Sequence, residues 1–422
     1  MSRLVDALVI GGGPAGAASA IFLARAGWQV LLVEQSAYPR QKVCGECVSA
    51  GSLQVLDELG IGEAFRSLAG PELCRVGWMD AWTALDAEFP ACADGPYPYG
   101  RAIGRDRLDQ LLIERARSLG VEVLQPAKVA AVRGGPGAFE AELEWQTRMA
   151  GNPGRRVTAR HTRCARAVVD AHGSWEPPPR GVAFGAGAGP SGAPKKASDL
   201  FAFKASFAES GLAPGLLPVI SLDGGYGGAV VAERGRTTLA CCIRRDRLQA
   251  CRRSMPGATA GEAVADFLQR SCAGVRRILL DAQQLGAWLS VGPIRPGIRV
   301  GYSPEVFCVG NAAGESHPLV GEGIGMALQS ARLLAEHLSQ VRPQTLDTRR
   351  TGELNRGYAR AWRGAFAGRI RFAATAAHAA MHPALSALSR TLLARRPAML
   401  TRAARWAGKA KPAILRRYEE TT

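Results

Sequence analysis

The fold is decided by the stretch Leu4-Val5-Asp6-Ala7-Leu8-Val9-Ile10-Gly11-Gly12-Gly13-Pro14-Ala15-Gly16, an apolar run that leads into a G-x-G-x-x-G pattern. A helix-compatible segment, 17–26, follows it, and then a second apolar run that ends in Glu34. This order predicts a strand–helix–strand unit that binds the pyrophosphate of a dinucleotide.

The residues of this predicted unit have separate roles. Gly11 permits the tight turn, Gly13 lets the backbone approach a pyrophosphate, and Gly16 lets the helix pack closely on the strand. The helix N-terminus offers N–H groups and partial positive charge to phosphates. Glu34 stands where a carboxylate can accept hydrogen bonds from ribose hydroxyls. The alternative, a glycine-rich surface turn, leaves that acid unexplained.

Two further segments carry related signals. Near the other end, an apolar strand runs into a small-residue turn, Val306-Phe307-Cys308-Val309-Gly310-Asn311-Ala312-Ala313-Gly314, and a helix is expected from about Gly323. Another predicted helix opens with Gly104-Arg105-Asp106-Arg107-Leu108-Asp109. Taken alone, the first segment also fits an ordinary buried strand–turn–helix, and the second fits a solvated helix start.

Together the three segments resemble the motifs of a large FAD-binding superfamily. It includes para-hydroxybenzoate hydroxylase-type monooxygenases, geranylgeranyl reductases and flavin-dependent halogenases, and the resemblance extends to about residue 340. It implies an α/β fold with a Rossmann-like FAD-binding domain of the GR2 type, an inserted antiparallel β-sheet substrate domain and a C-terminal helical region. It also implies that Arg105 reaches the FAD phosphates, while Asp109 caps or pairs locally. Asn311 replaces a family aspartate that binds a ribityl hydroxyl, and its amide can still make that bond.

The resemblance gives a set of residues expected to contact FAD. These are Gly11, Gly13, Pro14, Ala15, Gly16, Glu34, Gln35, Cys44, Gly45, Arg105, Val129, Gly310, Asn311, Pro318, Gly321, Gly323 and Ile324. The helix that begins near Gly323 is expected to point its N-terminus at the pyrimidine edge of the flavin, where negative charge collects on reduction.

The segment Gln41-Lys42-Val43-Cys44-Gly45-Glu46-Cys47 carries a C-x-x-C spacing. A zinc site is not expected, because no second ligand pair appears elsewhere, and a redox dithiol stays an alternative. The Lys-x-Cys-Gly-Glu stretch is similar to a loop of the reductase and halogenase branches that passes close to the flavin ring. That resemblance implies packing roles for Cys44 and Gly45, and makes Glu46 a candidate acid or base.

One position departs from the monooxygenases. They carry an Asp-Gly pair after a strand, where this chain has Val169-Asp170-Ala171-His172-Gly173, with histidine at the acid position. Asp170 replaces the family acid only if the acid position is shifted by two residues along the chain. The change puts rapid reduction by a bound nicotinamide in doubt, and leaves NAD(P)H or a partner flavin reductase as the expected source of electrons.

The middle of the chain is expected to bind the substrate. After a Gly/Pro-rich connector at 185–197, strands are predicted at 217–222 and 237–243. Tyr226 lies in a predicted glycine–tyrosine turn, where it either faces substrate or covers the sheet. The candidate catalytic residues are Glu46, Tyr226, His317 and Glu322. The predicted domain map assigns 1–73, 99–184 and 286–345 to the FAD-binding domain, 74–98 and 185–285 to the substrate domain, and 346–422 to basic C-terminal helices.

Charge is unevenly distributed. The formal net charge is +17, and residues 349–422 hold sixteen Lys and Arg against three acids. Basic amphipathic helices suit an anionic membrane surface or an acidic partner, and the alternative is a solvated helical layer packed on the FAD-binding domain. Nucleic acid is not expected, because no recognition motif accompanies the charge.

Composition predicts a cytoplasmic enzyme, with peripheral membrane contact as an option. The ten cysteines lack the clustered spacing of a disulfide framework, and no secretory leader or membrane-spanning run is recognisable. The resemblance implies an FAD-dependent oxidoreductase, foremost a monooxygenase that uses NAD(P)H and O2 on a hydrophobic aromatic or polyketide-type molecule. The alternatives are reduction of C=C bonds in a prenyl or polyene chain and, as a minor one, a non-catalytic escort protein.

Overall fold

The structure is a computed structural model that describes residues 4–93, 95–149, 152–182 and 195–408. Most of the connector expected at 185–197, and residues 409–422 of the basic tail, lie outside these ranges.

Strands and helices alternate at first and then segregate. The strands are β1 (Leu4–Ile10), β2 (Val30–Val33), β3 (Cys47–Val48), β4 (Arg75–Met79), β5 (Ala84–Glu88), β6 (Arg101–Ala102), β7 (Glu122–Leu124), β8 (Lys128–Gly135), β9 (Ala138–Met149), β10 (Asn152–Asp170), β11 (Arg180–Gly181), β12 (Leu200–Ala208), β13 (Leu216–Leu222), β14 (Gly225–Val231), β15 (Thr237–Arg244), β16 (Gln283–Ile294), β17 (Gly297–Ile298), β18 (Phe307–Cys308) and β19 (Gly314–Glu315). The helices are α1 (Pro14–Arg25), α2 (Ala50–Glu58), α3 (Gly62–Leu68), α4 (Arg105–Ser118), α5 (Arg245–Ser254), α6 (Ala260–Ser271), α7 (Ala273–Ile278), α8 (Gly323–Leu338), α9 (Thr348–Met381), α10 (Pro383–Arg395) and α11 (Ala398–Trp406).

The first sheet is built around β1. Its order is β11-β8-β9-β10-β1-β2-β7, with β18 paired to β10, and β1 runs parallel to both of its neighbours. Successive residues of β1 face opposite sides, so Ala7 and Val9 join the core under α1, α4 and α8, while Leu8 and Ile10 join a core on the other face. The predicted α/β fold and its opening strand–helix–strand unit are confirmed.

The second sheet has the order β16-β12-β15-β14-β13-β4-β5. Its pairs are antiparallel except β13 with β4, which run parallel. The segment 74–98 does add strands to this sheet. Two details differ from prediction: the substrate-domain limit at 285 falls inside β16, and only Asp223 and Gly224 form the turn, so that Tyr226 lies within β14.

The C-terminal helices form a layer over both sheets. Trp362 and Phe366 of α9 belong to the core of the first sheet, and Ala377 and Ala380 pack into the core beside the second sheet. The hydroxyl of Thr401 in α11 donates to the carbonyl of Glu88, at 2.7 Å. The alanine-rich stretch therefore serves close helix packing. Among the described residues, no helix has the length and apolarity needed to cross a membrane.

We predict that Gly16→Ala destabilises the protein by about 1–3 kcal/mol. An added Cβ at Gly16 would lie 1.9 Å from the carbonyl oxygen of Gly11, a backbone atom that cannot move aside easily. Gly364→Ala is the control, since nothing lies within 4 Å of its added Cβ. Within the helix interior that change should stabilise by about 0.5–1 kcal/mol. Denaturant unfolding of both variants checks this, and equal stability of Gly16→Ala and wild type would contradict it.

Candidate functional site

One cavity of about 550 Å³ lies between the first sheet, the second sheet and the C-terminal helices. On the first sheet, the segments that line it follow β1, β2, β10 and β18, which are parallel neighbours. The carboxyl ends of parallel strands meet at one edge, and ligands of open α/β sheets bind there. The fold therefore brings segments distant in sequence to a common site.

The predicted FAD contacts converge on this cavity. All of them except Gly16 line it: Gly11, Gly13, Pro14, Ala15, Glu34, Gln35, Cys44, Gly45, Arg105, Val129, Gly310, Asn311, Pro318, Gly321, Gly323 and Ile324. Gly16 lies against the Gly11 carbonyl instead, in the close helix–strand contact that its position predicts.

The glycines of the cavity differ in the space around them. Gly11 has φ +102°, and an added Cβ would lie 2.5 Å from the carbonyl oxygen of Ala171, so it makes the tight turn. At Gly13 the nearest atom to an added Cβ is Nη2 of Arg105, at 3.6 Å, and at Gly45 and Gly323 nothing lies within 4 Å. These open backbones leave room for a ligand to approach closely. The residues present therefore fit an extended FAD.

Arg105 is held in place by its own helix. Its Nε and Nη2 donate to the two carboxylate oxygens of Asp109, each at 2.8 Å, so the predicted local pairing of Asp109 is confirmed. A bidentate pair fixes the plane of the guanidinium. Arg105 thus stands beside Gly13 as an oriented cation suited to a phosphate.

Glu34 is more engaged than predicted. Its carboxylate accepts the N–H of Gly12 at 2.7 Å and that of Ser36 at 2.8 Å, and it pairs with Arg40 at 3.2 Å. It therefore also fixes the glycine turn. The hydroxyl of Tyr38 donates to the carbonyl of Gly12 at 2.7 Å and supports the same turn.

Glu46 belongs to the cavity wall, but its contacts do not favour the predicted acid–base role. Its side chain is fully buried, where it pairs with Lys204 of β12 and, at 3.0 Å, with Nη2 of Arg236. The hydroxyl of Thr238 donates to the same carboxylate at 2.5 Å. Burial opposes ionisation, but Lys204 and Arg236 outweigh it and hold the pKa of Glu46 below its usual range. The carboxylate of Glu46 thus serves as a charged partner of Lys204 and Arg236.

The C-x-x-C pair is not a disulfide in this structure. Cys44 and Cys47 are both reduced thiols. Cys44 lines the cavity, and its sulfur accepts the N–H of Glu46 at 3.4 Å. The part of the chain that the structure describes contains no cluster of three or more candidate metal ligands. These observations favour the packing role for Cys44.

Two of the candidate catalytic residues do meet. The Tyr226 hydroxyl lies 3.1 Å from Nδ1 of His317, and Tyr226 lines the cavity. Burial lowers the pKa of His317 to about 4, so its imidazole is neutral at physiological pH. When the imidazole proton of His317 is on Nε2, its Nδ1 accepts a hydrogen bond from the Tyr226 hydroxyl and so orients that hydroxyl.

Glu322 is placed differently from prediction. It does not line the cavity; its buried carboxylate lies 3.8 Å from Nη1 of Arg369 in α9. A carboxyl group that the sequence analysis missed, Glu315, lines the cavity instead and accepts a hydrogen bond from Nδ2 of Asn311 at 3.2 Å. Burial raises the pKa of Glu315, and Arg299 only partly opposes this. Glu315 lies between Gly314 and Ser316 in a two-residue strand, and this local pattern gave no distinguishing signal.

His172 also lines the cavity, next to the glycine turn. Its Nδ1 lies 2.5 Å from a carboxylate oxygen of Asp170. Burial favours the neutral imidazole, but Asp170 outweighs it and raises the pKa of His172. Asp170 thus contacts and holds the histidine that stands in the acid position of the family motif.

Two further cationic side chains, those of Arg40 and Lys42, line the cavity. Nζ of Lys42 lies 5.5 Å from the centroid of the Trp175 ring. Burial, together with Arg40 and Arg105, lowers the pKa of Lys42. Sequence analysis missed both side chains as site residues, although their position just after the acid of β2 was a usable signal.

Comparisons with known proteins agree with this geometry. Residues 4–162 match the family model of the FAD binding domain. The chain is 32% identical over 127 residues to menaquinone reductase of Mycobacterium tuberculosis, covering 30% of each protein. The structure resembles the myxobacterial chondrochloren halogenase CndH, with TM-score 0.67 and 20% identity over 86% of this chain and 81% of that one. It also resembles P. aeruginosa PqsL in complex with 2-aminobenzoylacetate, with TM-score 0.63 and 18% identity over 96% and 99%.

We predict that Gly13→Val weakens FAD binding at least tenfold, about 1.4 kcal/mol, while the protein still folds. An added Cβ at Gly13 has only Nη2 of Arg105 within 4 Å, at 3.6 Å, and a branched side chain there would lie in the path of a pyrophosphate. Gly135→Val is the matched control, because its added Cβ meets nothing within 4 Å and lies outside the cavity. Fluorescence titration with FAD measures the effect, and stoichiometric FAD in purified Gly13→Val would overturn the assignment.

We predict that Glu46→Gln lowers the free energy of unfolding by about 3 kcal/mol at pH 7, because it breaks a buried ion pair. The folded pKa of Glu46 is depressed, so its stabilisation is present above the ordinary value of 4.5 and is lost as pH falls through the folded value. The difference between wild type and variant should therefore shrink below pH 4.5 in urea titrations. The exposed Glu63→Gln should change stability by less than about 0.5 kcal/mol, and a pH-independent difference for Glu46→Gln would refute the prediction.

Proposed function

We propose that this protein, which has an FAD-binding domain and the fold of the para-hydroxybenzoate hydroxylase-like superfamily, is an FAD-dependent monooxygenase of a hydrophobic aromatic or polyketide-type small molecule. The observation that carries this proposal is the shared cavity, in which the dinucleotide site and an apolar chamber are continuous.

The apolar part of the cavity supports a hydrophobic substrate. Its wall combines the second sheet and the C-terminal helices: Trp78, Phe89, Leu217, Val219, Leu393, Met399 and Leu400. Small-molecule sites are mostly apolar, with a few convergent polar groups that set orientation. Here those groups are Tyr226, Glu315 and Asn311.

The chain's own residues would bind FAD, orient the substrate and keep water away from the reaction. The turn at Gly11–Gly13, Arg105 and Asn311 would hold the pyrophosphate and ribityl parts of FAD, and FAD would supply the redox chemistry that side chains lack. The helices α9 to α11 exclude water from the chamber. Tyr226, which donates its own proton to His317, would accept a hydrogen bond from a phenolic hydroxyl of the substrate. Glu315, protonated over a wider pH range than an exposed carboxyl, would supply a proton at its carboxyl oxygen.

Electrons would come from NAD(P)H or from a partner flavin reductase. The histidine in the acid position, clamped by Asp170 beside the glycine turn, supports a mode of reduction unlike that of the hydroxylases. Comparing NADH, NADPH and an added flavin reductase as sources in the same assay decides between them.

A second candidate is reduction of a C=C bond in a prenyl or polyene chain. It is supported by the apolar wall of the cavity and by the partial match to a protein named menaquinone reductase. In that case Glu315 would supply the proton that completes saturation.

Isotope labelling tests both candidates. The FAD-loaded protein is supplied with a reductant, a panel of alkylated phenols and a panel of prenyl or polyene compounds, under ¹⁸O2 in D2O buffer. The proposal expects one ¹⁸O atom in the product by mass spectrometry. Product that gains deuterium from D2O at a former alkene carbon, with no ¹⁸O, establishes reduction instead. A colourless preparation that does not take up FAD contradicts both candidates.

We predict that Tyr226→Phe lowers turnover about 10- to 100-fold, because it removes the hydroxyl that orients substrate. FAD affinity and the visible flavin spectrum should stay unchanged. Tyr302→Phe, at an exposed tyrosine, is the control and should keep full activity. Steady-state kinetics with the substrate found above measures the change, and unchanged kcat in Tyr226→Phe would remove the residue from the reaction.

A further inference from the structure

The outer face of α10 and α11 carries an unusual concentration of exposed apolar side chains. Leu385, Leu388 and Leu392 are 38%, 66% and 42% exposed, and their spacing of three and four residues places them on one face of α10. Trp406 of α11 is 73% exposed. These two short helices hold four of the ten large hydrophobic residues exposed in the described part of the chain.

Cations surround this apolar stripe. Arg395, Arg396, Arg402 and Arg405 are exposed, and the described residues show no ion pair for any of them. The segment 383–408 contains no Asp or Glu. Arg390 has only Asp80, at 3.9 Å, as a partner. The face is therefore both apolar and strongly positive.

We propose that α10 and α11 form a docking surface for an anionic lipid membrane. The arginines alone would suit an acidic protein partner, but a row of exposed leucines beside arginines and a tryptophan, on helices without an acid, is the composition of an interfacial amphipathic helix. A helix with an apolar face bordered by Arg lies in the membrane interface, with its apolar side chains at the acyl boundary and its cations at the headgroups. Tryptophan is enriched at that depth.

The docking surface lies next to the cavity, and this position also suits a membrane as its partner. Leu392 is exposed and also lines the cavity, and its neighbours Leu393 and Leu400 line it from inside. The docking face thus borders the cavity. If the proposed function holds, a hydrophobic substrate passes from lipid to the chamber without crossing water, but docking itself rests on exposure and charge alone.

Co-sedimentation of the full-length, FAD-loaded protein with vesicles tests the proposal. The expected result is binding to phosphatidylcholine vesicles that contain phosphatidylglycerol, little binding to phosphatidylcholine alone, and release as salt rises. Leu388→Glu should weaken binding at least about tenfold, because it removes apolar insertion and adds a repelled charge. Arg395→Glu combined with Arg396→Glu should weaken it by a similar or larger factor.

Matched controls separate docking from general surface effects. Leu280 is 74% exposed outside this face, and Leu280→Glu should leave binding within about twofold of wild type. Arg252→Glu with Arg253→Glu makes the same charge change on α5 and should also have little effect. The flavin spectrum and melting temperature of every variant should match wild type, which shows that a loss of binding is not unfolding.

Two results would overturn the proposal. One is the absence of wild-type binding to the anionic vesicles. The other is full binding by Leu388→Glu with loss only on charge reversal, which would mean an electrostatic surface for an acidic macromolecule. Neither depends on turnover, so a failure of the proposed function would be seen separately in the isotope assay.

Discussion

The burial of one carboxylate joins the two halves of this molecule. Glu46 lies on the loop that follows β2 and has no solvent contact, and an uncompensated charge there would cost several kcal/mol. Its compensation comes from Lys204 of β12 and from Arg236, which directly precedes β15. The loop therefore keeps its course only when the second sheet is docked. Because that loop is one wall of the cavity, the site exists only in the assembled fold.

The cavity divides its chemistry between the two sheets. Turns at the carboxyl ends of the first sheet's strands let a ligand approach the backbone closely, and cationic side chains lie beside them. In contrast, β14 and the C-terminal helices supply apolar walls. Burial acts in opposite directions on the pKa values of His317 and Glu315: it lowers that of His317, which stays neutral, and raises that of Glu315. Both groups are uncharged over a wider pH range than usual, as suits a chamber for a hydrophobic molecule.

The C-terminal helices show why one basic segment can be packed and yet offer a binding surface. Ala377 and Ala380 are buried where α9 crosses the second sheet, and small side chains permit that close approach. Leu388 and Trp406 lie on the opposite side of the same layer, in solvent. The two hypotheses for the tail, a structural layer and a membrane surface, therefore concern different parts of one helical layer.

The sequence by itself determined the features that depend on local backbone geometry. A positive φ at Gly11 and the approach of Gly16 to the strand are demands that only glycine meets, so the pattern alone predicted the turn, the helix and the edge of the sheet where ligands bind. The pairing of Arg105 with Asp109 was likewise predictable, since residues four apart share a helix face.

Only the tertiary structure decided which polar side chains face the cavity. The partners of Glu46 are 158 and 190 residues away, and no local pattern reports a contact at that distance. Glu315 and Glu322 belong to one segment of similar composition, yet one lines the cavity and the other meets Arg369. The direction of each side chain depends on the path of the chain through a turn and on what packs against it. That path is set by long-range burial, whereas the glycine turn is set by sterics within a few residues.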